Sequence, residues 1–450
     1  MTTTEALKPS QKTLKRVVSA SFIGTTVEYY DFFIYGTAAA LVFPTLFFPA
    51  LGGAAAVAAS FATFGVAFIA RPLGGLIFGH IGDKVGRKAT LVATLTLMGV
   101  ATVLIGLLPP GSAIGVWAPI ALIVLRFAQG LAVGGEWASA ALFVSEYAPK
   151  EKRAKYALAP ALGTVAGLAL STFTFLITGF TMTDATFEAW GWRVPFLLSV
   201  ILVVLGLWIR LGLADTPVFK EAMKRAEEKP VTKLPITQLF REQPKQVFIG
   251  AGTSVMWLGF FYIGAVYLTN YGTEILGFSR NEMLTVNMIG IFFCFVAIAL
   301  GGLLADRTGR RPLVLWSGIA AVVWSFVMFS LANTGSLVLM TIAVSGTLFI
   351  VGMTVGPVTA LMPEIFNTNY RSTGTGVAFN LGSLIGGAVP PIIAAPILAA
   401  VGSIGLSIMM AVIALVTVIA AIAFRETRGK SMSIQSDMET STDPDYVAKV

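Results

Sequence analysis

Two acids three residues apart, Glu28 and Asp31, stand in a stretch from Val17 to about Phe43 that holds no other charge. A cation, Arg126, is nearly as isolated in the apolar run 118–142, where the only other charged residue is Glu136. These types can do proton chemistry together. Apolar surroundings favour the neutral acid, while a guanidinium, always protonated, favours the carboxylate, so moving one past the other loads or releases a proton. Spacing i,i+3 turns Glu28 and Asp31 to one side of a helix. Counted along helices that enter from opposite faces, Asp31 lies ~21 Å and Glu28 ~16 Å from the entry side of the first run, and Arg126 ~12 Å from the entry side of the other. All three depths fall near the middle of a ~30 Å apolar layer. Asp31 is the expected coupling carboxylate and Glu28 its rival; the plain alternative is a permanent ion pair that only fixes packing. Arg126 is also suited to hold a substrate carboxylate through its two-pronged fork. Glu136, about 15 Å further along the helix, reads as part of a gate network.

The elements that carry these residues follow from composition. Of 450 residues 56% are hydrophobic and 12% charged, with mean hydropathy +0.82. Soluble domains carry roughly twice that charge, so the chain cannot cover a globule with polar surface. Apolar runs recur near 17–43, 56–78, 89–108, 118–142, 157–180, 194–213, 247–271, 284–304, 312–332, 337–361, 374–399 and 404–424. That predicts an all-α membrane protein of twelve spanning helices. A single cysteine, Cys294, and a single histidine, His80, exclude a disulfide framework and any His/Cys metal cluster. No metal or cofactor is expected, only the proton as coupling ion.

Lysine and arginine set the orientation. With the N-terminus in the cytoplasm, every Lys and Arg except Arg71, Arg126, Arg193 and Arg280 lies in or beside a cytoplasmic segment. Both termini are therefore expected inside, and the net charge of +8 is topological and calls for no nucleic acid. The expected organisation is a cytoplasmic tail 1–16, a six-helix bundle 17–213, a basic cytoplasmic linker 214–245, a second bundle 246–424 and a tail 425–450.

The two bundles repeat one another. Gly79, Asp83, Gly86 and Arg87 after the second run recur as Gly302, Asp306, Gly309 and Arg310 after the eighth. Glu146 and Arg153 after the fourth run recur as Glu364 and Arg371 after the tenth, with the same spacing. Two correspondences between six-helix halves indicate duplication, the way transporters build a central site. The acids and arginines of these loops, Asp83, Arg87, Glu146, Arg153, Asp306, Arg310, Glu364 and Arg371, suit a cytoplasmic gate. Asp83 or Asp306 can sit at a helix N-terminus and the arginines can reach acids opposite, locking the outward-open state. The alternative is static loop chemistry plus topological charge.

The paired Gly-x-x-x-Asp-x-x-Gly-Arg loops resemble the signature of the major facilitator superfamily, across about residues 17–428. Within it the chain resembles the metabolite–proton symporters, on the strings Glu28-Tyr29-Tyr30-Asp31-Phe32-Phe33-Ile34-Tyr35-Gly36, Arg71-Pro72-Leu73-Gly74 and Arg126-Phe127-Ala128-Gln129-Gly130 running to Gly134-Gly135-Glu136-Trp137. The resemblance implies two pseudo-symmetric bundles working by alternating access. It also implies Asp31 with Arg126 as the coupling pair, and a small organic acid or zwitterionic osmolyte as substrate. Arg126, Tyr30, Tyr35 and Gln129 are the expected substrate residues of the first half, Tyr262 and Asn380 those of the second. Tyr267, Asn270 and Tyr271 share the seventh run, where belt or packing roles serve equally. On the fifth run the family's Gln-Leu-Gly is replaced by Ala161-Leu162-Gly163, so the amide usual there is missing.

The leading expectation is proton-driven uptake of a small organic acid by a monomer in a bacterial inner membrane. One rival is a drug/proton antiporter, only faintly echoed by Pro160 and Gly163. Another is a proline or betaine porter, whose osmosensing relatives carry a C-terminal coiled coil; residues 431–450 have no heptads. A membrane enzyme lacks its parts: no serine elbow, His-Glu-x-x-His or phosphate-binding loop occurs.

Overall fold

The computed structural model describes residues 11–85, 87–134, 144, 152–211, 235–367 and 371–429, though not every side chain within them. Twelve long helices follow the apolar runs: α1 (Gln11–Leu41), α2 (Gly53–Val85), α3 (Arg87–Leu107), α4 (Trp117–Val133), α5 (Arg153–Thr181), α6 (Val194–Leu211), α7 (Pro244–Ile275), α8 (Arg280–Thr308), α9 (Arg310–Ala332), α10 (Leu337–Glu364), α11 (Arg371–Val401) and α12 (Ser403–Ala423). Among the described residues nine are long and apolar enough to cross a bilayer by length and composition. The apolar parts of α3 and α4, Val92–Leu107 and Trp117–Val133, are shorter. The described end of the expected linker holds a short helix, Pro235–Glu242.

Each half forms a lobe, α1–α6 and α7–α12. The lobes meet along two seams, α5 against α8 and α2 against α11. Under the repeat α2 corresponds to α8 and α5 to α11, so one seam maps onto the other. Outward faces carry Trp208, Phe292, Val323 and Ile419, all well exposed in the isolated chain, as lipid-facing side chains are. α7 is the most enclosed span, with 89% of its most apolar window buried, which puts it at the centre between the lobes. Among the described residues, α7 and α11 are also the spans that depart from α geometry, with π-helical turns at Ile263–Tyr267, Tyr271–Ile275 and Ser383–Ala388.

One crossing positions the site. At Gly134 of the α4 C-terminus a β-carbon would collide with the carbonyl oxygen of Arg71, and at Gly74 of α2 with that of Leu131. The glycines in the Arg71 and Arg126 strings thus let α2 and α4 touch backbone to backbone, fixing two buried arginines on neighbouring helices.

Candidate functional site

The carboxylates and arginines in the middle of the bundle all belong to the first lobe: Glu28 and Asp31 on α1, Arg71 on α2 and Arg126 on α4. The apolar runs of the second lobe contribute no carboxylate, lysine or arginine at that depth. Asp31 and Arg126 are fully buried, Glu28 and Arg71 nearly so.

The expected direct pairing of Asp31 with Arg126 is absent from this conformation. Arg126 Nη1 donates to Gln129 Oε1 at 3.0 Å, Gln129 Nε2 donates to Thr102 Oγ1 at 2.8 Å, and Thr102 Oγ1 donates to the Met98 carbonyl at 2.9 Å. Asp31 adjoins Thr102. Neither of its carboxyl oxygens has a hydrogen-bond partner among the described residues, and the same holds for Nε and Nη2 of Arg126. Thr102 and Gln129 thus stand between Asp31 and Arg126: the hydrogen-bonded chain from Arg126 ends at Thr102, beside Asp31. Sequence reasoning missed Thr102 because a threonine in an apolar helix usually bonds back to its own turn, as this one also does.

Arg126 lies in an aromatic cradle. Its Cζ stacks 4.1 Å from the ring centre of Tyr35, 4.3 Å from Phe32 and 4.8 Å from Phe64. Tyr35 donates its hydroxyl to Thr63 Oγ1 at 2.6 Å, which holds the ring beneath the cation. Across the lobe boundary Tyr262 closes the cradle, its ring 5.4 Å from both Phe64 and Phe68, with its hydroxyl lying against Arg71. Arg126, Gln129, Tyr35 and Tyr262 therefore share one locus with Asp31. Two expected substrate residues do not. Tyr30 leaves on another side of α1 and donates to the Pro195 carbonyl at 2.9 Å, a packing role against α6. Asn380 Nδ2 donates to the Gly134 carbonyl at 3.2 Å, tying α11 to α4 on the cytoplasmic side. Gly163 approaches the backbone of α1 at Phe22, where a larger side chain would not fit.

The cytoplasmic ends hold a charge cluster. Glu364 at the end of α10 accepts from Arg153 Nη1 of the opposite lobe at 2.9 Å and from Arg310 Nε and Nη2 at 3.2 and 3.1 Å. Asp306 accepts from the backbone N–H groups of Ala154 and Lys155 at 3.1 and 3.0 Å, capping the first turn of α5 across the boundary, and meets Arg310 Nη1 at 3.3 Å. Arg371 Nε donates to the Pro363 carbonyl at 3.0 Å. The side chains of Asp83, Arg87, Glu136 and Glu146 lie outside the described residues. A part not anticipated comes from the chain after α12. Thr427 Oγ1 donates to Glu364 Oε2 at 2.7 Å, and Glu426 accepts from four backbone N–H groups, of Arg310, Arg311, Thr427 and Arg428. Burial alone would raise the Glu426 carboxyl, but those donors outweigh it and hold its pKa below the ordinary value.

The opposite face is closed as well. Asn270 Nδ2 of α7 donates to the Ala40 carbonyl of α1 at 2.8 Å, Asn281 Nδ2 of α8 to the Gly179 carbonyl of α5 at 3.1 Å, and Arg280 pairs with Asp184 at 3.1 Å over the ring of Phe187. Contacts thus bridge the lobe boundary at both ends in this conformation.

Twelve apolar helices in two duplicated lobes around a buried polar locus define a multi-pass membrane transporter. A sequence model of the Major Facilitator Superfamily matches residues 21–391, and the chain belongs to that family. It is 41% identical to an inner membrane metabolite transport protein of Escherichia coli (strain K12), over 93% of this chain and 95% of the relative. A shikimate transporter of the same strain is 37% identical over 87% of this chain and 90% of its own, and a proline/betaine transporter of that strain is 30% identical over 93% and 85%. Among solved structures, a D-xylose-proton symporter superposes with TM-score 0.70 at 19% identity, covering 92% of this chain and 99% of the other, a likeness of fold.

Proposed function

We propose that this chain is a proton-coupled symporter that takes up a small organic acid by alternating access across a bacterial inner membrane. The observation that carries the reading is the pair of buried, unsatisfied groups near the lobe boundary: a carboxyl, Asp31, with neither oxygen partnered, and a guanidinium, Arg126, with Nε and Nη2 unpartnered, with Gln129 and Thr102 between them. Burying an unpaired carboxylate costs far more than burying a neutral acid, so the conformation with Asp31 buried and unpartnered is the one in which it holds its proton. A substrate carboxylate on Arg126 satisfies the guanidinium and leaves Asp31 no cation to pair with. Substrate and proton thus favour each other's binding, which is the linkage a symporter needs. When the cytoplasmic cluster opens and the anion leaves, Arg126 is freed to draw on Asp31 through Gln129 and Thr102, and the proton departs. The cluster of Arg153, Asp306, Arg310 and Glu364 acts as the inner gate, and the contacts of Asn270, Asn281 and Arg280 as the outer one.

The resemblance to a proline/betaine transporter supports a second reading, uptake of a zwitterionic osmolyte. A quaternary ammonium group needs open aromatic faces. Here guanidinium groups already occupy those of Phe32, Tyr35, Phe64 and Phe68, which favours an anion. The relative named for shikimate, an organic acid, points the same way.

The deciding measurement is uptake in proteoliposomes with an imposed pH gradient, against counterflow without one. Asp31→Asn is expected to abolish accumulation driven by the gradient while retaining counterflow. Accumulation by that variant at the wild-type level would refute coupling through Asp31.

A further inference from the structure

Arg71 is the intramembrane cation to which neither proton coupling nor gating gives a task. It is 2% exposed, on α2, and its Nε and Nη2 have no hydrogen-bond partner among the described residues. Its Cζ stacks 4.6 Å from the ring centre of Phe32 and 4.6 Å from that of Phe68. Phe32 is also the ring under Arg126, so two guanidinium groups share one aromatic ring and lie no farther apart than about twice a stacking distance. Tyr262 of the other lobe bears on both.

We propose that Arg71 is the second anchor of the transported anion, so that the substrate is a small monocarboxylate held between two guanidinium groups rather than by Arg126 alone. This rests on the organic-acid reading of the same site. Two like charges beside one ring repel, and buried N–H groups left without acceptors are costly, so the arrangement calls for an acceptor that reaches both. Four unpartnered guanidinium nitrogens, two on each arginine, offer a carboxylate and one further oxygen all the donors they can use. The α2–α4 crossing at Gly74 and Gly134 fixes the spacing of the two arms before any ligand arrives, which lowers the ordering cost of binding.

Charge decides between one carboxylate and two. The groups facing this locus are Glu28, Asp31, Tyr29 and Tyr35 from α1, Arg71 from α2, Arg126 from α4 and Tyr262 from α7, with Glu28 and Arg71 both acting on the Tyr29 hydroxyl. Two guanidinium groups face two carboxyl groups here, so the acids leave little surplus positive charge, which suits one carboxylate better than two.

The test is ligand-dependent thermal stabilisation of the full chain in detergent, titrated with shikimate, lactate, succinate and glycine betaine. The monocarboxylates are expected to stabilise the wild type most. Arg71→Gln is expected to weaken their apparent affinity at least 10-fold, about 1.4 kcal/mol. Arg71→Lys, which keeps the charge and loses the fork, should fall between and carries the test if the glutamine variant does not fold. Tyr30→Phe, whose hydroxyl is engaged by the Pro195 carbonyl of α6 away from the site, should bind as the wild type, which separates anion anchoring from a general loss of packing. Wild-type affinity in either folded Arg71 variant overturns the assignment and leaves the symport reading standing. Tighter binding of succinate than of either monocarboxylate overturns the single-charge substrate. Stabilisation by glycine betaine with no response to any carboxylate overturns both this inference and the organic-acid reading.

Discussion

Arg153→Gln is the perturbation that most directly addresses the inner gate. Arg153 Nη1 and Glu364 Oε1 meet at 2.9 Å with side chains 4% and 0% exposed, the one ion pair among the described residues that crosses the lobes at the cytoplasmic face. Glu364 keeps two bonds from Arg310 and one from Thr427 after the change, so it is not stranded. The loss at this pair is close to one charged hydrogen bond, about 1.5–3 kcal/mol. It bears on the closed form alone, because the pair spans a boundary that separates when the inner side opens. The inward-open population should rise ~10- to 150-fold. The readout is the alkylation rate of a cysteine placed at Leu158, which is 6% exposed and packs against Gly302 across the same boundary just inside the gate, in a Cys294→Ser background. Maleimide from the cytoplasmic side should react at least 10-fold faster in the Arg153→Gln protein. An unchanged rate in folded protein would refute the latch and leave the cluster as loop chemistry.

Three further outcomes follow from the same geometry. Thr102→Val cuts the link between Asp31 and Gln129, so gradient-driven uptake should fall about 10-fold or more and its pH profile should move while counterflow holds; an unmoved profile would remove Thr102 from the coupling path. Arg126→Lys keeps the charge but loses the fork and the broad stacking face, and uptake should drop by an order of magnitude or more; near-normal transport would contradict the guanidinium's role. Glu426→Gln should lower the melting temperature at neutral pH. Because the Glu426 pKa is depressed in the folded protein, the stability it supplies is present above the ordinary glutamate value of about 4.3 and lost as pH falls through the folded value, so wild type and variant should converge in acid. Parallel melting curves down to low pH would contradict the capping.

Hydropathy alone located the twelve helices, because bilayer thickness leaves little freedom in span length, though α1 starts six residues before its apolar run and α2 continues seven beyond its own. The depth count also brought Asp31 and Arg126 to one level, and the repeat singled out Arg310 and Glu364. Direction was harder to read. A span that is apolar on every face gives no stripe to say which side Tyr30 takes, and it takes α6 rather than the site. Arg71 stood in a recognisable string, yet its meaning depends on Phe32 of another helix, a contact that no spacing within α2 encodes. Asp306 caps a helix in the opposite lobe, and Thr427 reaches Glu364 from beyond the last span. Such pairings arise from the way the lobes close on one another, and local sequence has no signal for it.

The π-helical turns give the duplicated halves different temperaments. The first lobe keeps the charges on rigid crossings, while α7 and α11 of the second carry the backbone irregularities, at Ile263–Tyr267, Tyr271–Ile275 and Ser383–Ala388. A loosened turn bends at less cost than a regular one. The lobe that holds the ions can therefore stay stiff while its partner flexes around whatever cargo has been seated, and cargo size becomes a property of the uncharged half.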